Sequence, residues 1–174
     1  VIEYLAQKPG YITAIDDGRL WVFEGDEAPS MPEKHITLIG AGPLGTTIKA
    51  VDRDTAIKYL AAKPGFRVSV SDGRLWVFKA DEEEAMPEKH VTLVGAGPMG
   101  MTIKSTDRDT AIKYLASKPG FSVEEDEDGR LWVFKGEEVG ERSEKHVTRV
   151  GAGPLGKTLK AVDRATMDAY LAAR

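Results

Sequence analysis

His35, His90 and His146 are the only histidines in the chain, and each follows Glu-Lys at the entry to a short apolar run. One imidazole at the same place in each of three copies is what a metal site on a symmetry axis would require. Three histidines and a water make a catalytic zinc geometry, with nitrogens roughly 2.0–2.1 Å from the ion. The spacing therefore makes these three residues candidate ligands for a divalent transition metal. The competing expectation is structural, because duplication makes any residue threefold equivalent. An imidazole at a strand entry also commonly caps a loop or bonds a backbone carbonyl. Catalysis at such a metal would need a general base or a substrate pocket, and the sequence offers neither.

The second candidate is the turn "GAGPLG", with Gly40, Gly42 and Gly45, which returns as Gly95, Gly97 and Gly100 and as Gly151, Gly153 and Gly156. Over six residues it resembles the Gly-Ala-Gly-Pro turn of flavoproteins and has the spacing of a dinucleotide-binding turn. Such a turn works by leading straight into a helix whose N-terminus faces the pyrophosphate. Here Thr46-Thr47-Ile48 follows, which is strand-like, and the acidic residue that would hold a ribose about 20 residues on is missing. The glycines read first as a hairpin connection that needs unusual backbone angles. A nest of backbone amides holding an anion, with Lys49, Lys104 and Lys160 nearby, is the alternative.

Other residues carry weaker chemistry. Asp126 and Asp128 in "EEDEDG" hint at a calcium loop, but Lys135 stands where a bidentate Glu is required. A variant hairpin is the simpler account. The acidic run Asp81–Ala85 reads as solvated charge. Trp21, Trp76 and Trp132 could stack on a sugar or a base, yet their place inside "LWVF" points to core packing. No serine, histidine and acid recur in a nucleophile setting.

The elements that must position these residues come in triplicate. Lys8-Pro9-Gly10, Lys63-Pro64-Gly65 and Lys118-Pro119-Gly120 lie 55 residues apart, and residues 8–62 match residues 63–117 at 37 of 55 positions. The third copy carries one extra residue before Gly129. In each copy an alternating run such as "FRVSVS", with Phe66, Val68 and Val70 on one face, reads as a strand. An Asp-Gly pair supplies a tight turn into "RLWVF". That return strand is apolar on both faces, so it belongs at the centre of a sheet. A variable acidic loop, a third strand, the glycine turn and a fourth strand form a second hairpin.

Asp52, Asp107 and Asp163 are then placed to cap a helix, because a side-chain oxygen there accepts a free amide hydrogen of the first turn. Ile57, Leu60 and Ala61 give that helix one apolar face. Residues 1–7 repeat the back half of this helix. The expected fold is α+β: one domain, residues 1–174, of three units (8–62, 63–117, 118–174), each two antiparallel hairpins and a helix, after a partial helix at 1–7. The three units are expected to close around a pseudo-threefold axis, because closure removes unpaired sheet edges. Against it, residues 1–7 and 167–173 would compete for one place in a ring.

Composition bounds the function. The 174 residues are 41% hydrophobic and 30% charged, which is globular rather than disordered. No apolar stretch approaches the roughly 18–20 residues that span a bilayer, so no membrane partner is expected. No secretory leader is read, and a chain opening at Val1 reads as processed, trimmed or excised. A net charge of −4 argues against nucleic-acid phosphate as a partner. Without cysteine there are no disulfides or thiolate sites, and the compartment stays open.

The expectation is a monomer with an internal pseudo-trimer, from recent triplication or engineering. It is a non-enzymatic scaffold or binding module whose three equivalent surfaces meet a ligand or protein of unknown identity, with no cofactor. Metal binding by one histidine per copy and anion or nucleotide binding by the glycine turns are the alternatives.

Overall fold

A computed structural model describes residues 1–25, 31–81, 87–136 and 138–173. Apart from Asp81, the acidic run 81–85 lies outside them. Three four-stranded sheets of one topology are present, each followed by a helix, so the chain is α+β with three tandem repeats. Its contacts divide it into two compact units, Val1–Met86 with Thr92–Lys104, and Pro87–Val91 with Ser105–Arg174.

In the first unit, helix α1 (Ile2–Ala6) precedes strands β1 (Tyr11–Asp16), β2 (Arg19–Glu24), β3 (Ile36–Leu38) and β4 (Ile48–Ala50), and helix α2 (Arg53–Ala61) follows. β1 and β2 form a hairpin in register from Tyr11–Glu24 to Asp16–Arg19. Its turn places Asp17 and Gly18 at φ 48° and 73°, the positive angles that an Asp-Gly hairpin turn requires. β3 and β4 form the second hairpin, Ile36 opposite Ala50. The sheet order is β1-β2-β4-β3, and β4 runs parallel to β2. That parallel join, which puts "RLWVF" in the interior of the sheet, is the feature the hairpins alone did not reveal.

Alternation along β2 builds two cores from one strand. Leu20 and Val22 are buried with Ile48, Ala6 of α1 and Tyr59 of α2. Trp21 and Phe23 are buried on the opposite face and stack at 6.0 Å with nearly parallel rings. α2 begins where the Asp52 carboxylate accepts the Thr55 amide at 2.8 Å, a cap that contributes about 1 kcal/mol. It also reaches strand β5 (Phe66–Ser71), which pairs with β6 (Arg74–Lys79) as β1 does with β2. The second sheet is completed by β7 (Val91–Leu93) and β8 (Ile103–Ser105) in the order β5-β6-β8-β7.

In the second unit, helix α3 (Arg108–Ala116) leads into β9 (Phe121–Glu125), β10 (Leu131–Lys135), β11 (Val147–Arg149) and β12 (Leu159–Ala161), and helix α4 (Arg164–Ala172) follows. β10 is again paired parallel to β12 and antiparallel to β9. Asp107 and Asp163 cap α3 and α4 through the amides of Thr110 and Thr166, both at 2.7 Å. The extra residue of this repeat goes into the β9–β10 turn. There Asp126 accepts the amides of Asp128 and Arg130 and the Trp132 indole N–H, at 2.9, 2.9 and 3.0 Å. Its carboxylate is thus engaged in shaping the hairpin. Burial pushes the Asp126 pKa up, but these hydrogen bonds outweigh it and hold the group below its ordinary value.

α1 contacts β1 and the turn before β4, as α3 contacts β9 and the turn before β12. It is thus the leading helix of the first sheet, as α3 is of the third. Among the described residues no helix is long and apolar enough to cross a membrane.

Candidate functional site

Each histidine sits where the chain enters the third strand of its sheet. The His35 Nδ1 lies 3.1 Å from the Pro32 carbonyl, His90 Nδ1 3.0 Å from that of Pro87, and His146 Nδ1 3.1 Å from that of Ser143. A carbonyl only accepts, so Nδ1 carries a proton and donates. The His35 ring stands edge-on to Trp21 at 4.9 Å, and His146 to Trp132 at 5.0 Å. Each imidazole thus closes a loop, and those of His35 and His146 also pack on their own repeat's tryptophan. Among the described residues no group of three or more histidine, aspartate or glutamate side chains is gathered to hold a metal ion.

The tryptophans belong to closed cores. Trp21, Trp76 and Trp132 are buried, each stacked on the phenylalanine two residues on. The ammonium groups of Lys49, Lys104 and Lys160 lie over them at 5.5, 5.6 and 5.5 Å, a cation–π contact. In the third repeat the loop after β10 folds back over this face. A Cβ on Gly140 would meet the Phe134 ring at 3.1 Å. A shallow, open depression of about 400 Å³ in the second unit is lined by Arg108, Asp109, Ile112, Glu125 and Asp126.

The glycine turns are built alike in all three copies. The amide of Gly42 donates to the Thr46 carbonyl at 2.8 Å, that of Gly45 to Gly42 at 3.1 Å, and that of Thr46 to Pro43 at 3.1 Å. Gly97 and Gly153 repeat the first of these bonds at 2.9 and 2.8 Å. The turn spends these amides on its own carbonyls, so they are not aimed outward at an anion. Gly42 is required for space, since a Cβ there would lie 2.9 Å from the Thr46 carbonyl oxygen.

What the turn presents outward is apolar. Ile39, Val94 and Val150, the residues just before each Gly-Ala-Gly, are 89%, 85% and 86% exposed. Leu44, Met99 and Leu155, between the proline and the last glycine, are exposed as well. These three hold positive φ angles of 55°, 58° and 58°. For a residue with a γ-branched or long side chain this costs about 1–2 kcal/mol, and glycine would remove the strain. Each turn instead keeps a large hydrophobe there.

The six side chains form the feature that motif reasoning missed. A sequence signal for it exists: an aliphatic residue persists at 39, 94 and 150 even where Leu38 and Leu93 give way to Arg149. No protein-family model matches the chain, and neither a curated protein nor a solved structure does.

Proposed function

We propose that the protein is a non-enzymatic binding module that offers the same apolar turn surface three times. The observation that carries this reading is the threefold exposure of Ile39, Val94 and Val150 beside strained Leu44, Met99 and Leu155. Backbone strain persists where the surrounding structure over-determines it, and it concentrates at ligand contacts. Exposed aliphatic groups on a preformed turn lose little conformational freedom on docking, which suits them to an apolar surface of another protein. The internally bonded glycine amides and the buried tryptophans fit a supporting scaffold.

A photoreactive residue placed in turn at positions 39, 94 and 150 tests this directly. Irradiation in a native extract should give one common protein adduct from all three positions and none from a probe at exposed Asp54. Identical labelling from Asp54, or a different adduct at each turn, overturns the proposal. Turnover on a broad hydrolase panel that one point change abolishes would overturn its non-enzymatic part.

A further inference from the structure

The helices have two working faces, and the ends of the chain use them differently. In the second unit, Ile112 and Ala116 of α3 and Met167 and Tyr170 of α4 share one core with Leu131, Val133, Leu159 and Ala161. A helix thus serves the sheet after it with an isoleucine and an alanine, and the sheet before it with a tyrosine. The first unit repeats this with Ala6 from α1 and Tyr59 from α2. Polar contacts lock each pair. The Tyr59 hydroxyl donates to the Ala6 carbonyl and Tyr170 to that of Ala116, both at 2.6 Å. The Lys8 ammonium donates to the Tyr59 carbonyl at 2.6 Å, and Lys118 to that of Tyr170 at 2.8 Å.

At α1 the forward face is used and the backward face is bare. Ala6 is fully buried, whereas Tyr4, at the position of Tyr59 and Tyr170, is 78% exposed, with Leu5 and Val1 also exposed. At α4 the reverse holds. Tyr170 is buried, but Asp168 replaces Ile57 and Ile112, and it is exposed and paired with Arg164 at 3.6 Å and Arg149 at 3.8 Å. A polar outer face is how a repeat array ends.

We propose that the Tyr4–Leu5 face of α1 is a docking surface for one further unit of this same kind, joined upstream, and that the far face of α4 is closed to one. A second copy of the chain does not suit this face. The residues that would receive Tyr4, represented by Leu20, Val22, Leu75, Val77, Leu131 and Val133, are already fully buried. The occupant therefore has to bring its own sheet, with a leading-helix carbonyl to accept the Tyr4 hydroxyl.

The test places residues 1–55 ahead of the full chain, so that Val1–Ala6 completes a capped helix. The added unit should resist protease with the rest. Changing the original Tyr4→Phe should lower the Tm of the extended chain by roughly 2–4 °C, as loss of one buried hydrogen bond does. In the unextended chain it should change nothing. In the mirror experiment, residues 64–117 appended after Arg174 should be digested, and should become protected when Asp168→Ile is introduced. An upstream unit clipped back to Val1, Tyr4→Phe silent in both chains, or a downstream unit protected with Asp168 in place would each overturn the proposal.

Discussion

Leu44, Met99 and Leu155 pose the sharpest question at the scale of single residues, since each holds a backbone angle better suited to glycine. Replacing all three by glycine exchanges about 1–2 kcal/mol of strain per site for about 0.4–1 kcal/mol of added chain entropy. Thermal unfolding should therefore show an unchanged or slightly higher Tm, while adduct formation at the turns falls. Ser105 makes the complementary case. Its hydroxyl is fully buried without a hydrogen-bond partner, and the equivalent residues in the other repeats are Ala50 and Ala161. Ser105→Ala should stabilise the protein by about 1 kcal/mol in chemical denaturation, by removing an unpaired buried polar group. The angle at Leu44 was not legible in the sequence, because the conformation comes from the Gly42–Thr46 bond and not from leucine's own preference.

At the scale of elements, the turns and the helix contacts make two separate predictions. Gly42→Ala pushes a methyl group to 2.9 Å from the Thr46 carbonyl oxygen. It should cost about 1–3 kcal/mol, as overpacking does, with similar losses at Gly97 and Gly153 in equilibrium unfolding. The helix contacts set a pH profile. Burial lowers the Lys8 pKa to about 8, so the folded state holds this proton less tightly than the unfolded chain, and stability rises as pH climbs from about 8 toward 10.5. Burial raises Tyr59 and Tyr170 to about 12, and burial with Glu24 does the same for Tyr11. The stability these groups contribute is fully present below pH 10 and is lost as pH rises through 12. A titration of Tm should climb above pH 8 and fall beyond pH 10. Lys8→Met should flatten the first limb, and Tyr59→Phe should soften the second.

At the scale of the whole molecule, the repeat was the readable part. The 55-residue spacing, the Asp-Gly turns and the Asp caps of α2, α3 and α4 are local signals, and local backbone chemistry obeys them. The parallel join of β2 to β4 was hidden because it depends on which edge of the first hairpin the second one meets, a choice made by tertiary packing. The tryptophan and histidine roles were legible only as alternatives. Their faces became plain once β2 was seen buried on both sides. The exposed turns were not legible because an aliphatic residue next to a short strand, as Ile39 is, carries no local sign of whether it faces the core or solvent.

The central claim is that each turn is an independent and equivalent binding surface, so the deciding quantity is stoichiometry. Once the cross-linked partner is in hand, titration calorimetry should give three equivalents bound per chain. Ile39→Asp, Val94→Asp and Val150→Asp, added one after another, should reduce that number by one each time, with the affinity of the remaining sites and the Tm unchanged. A stoichiometry indifferent to these substitutions would contradict the account.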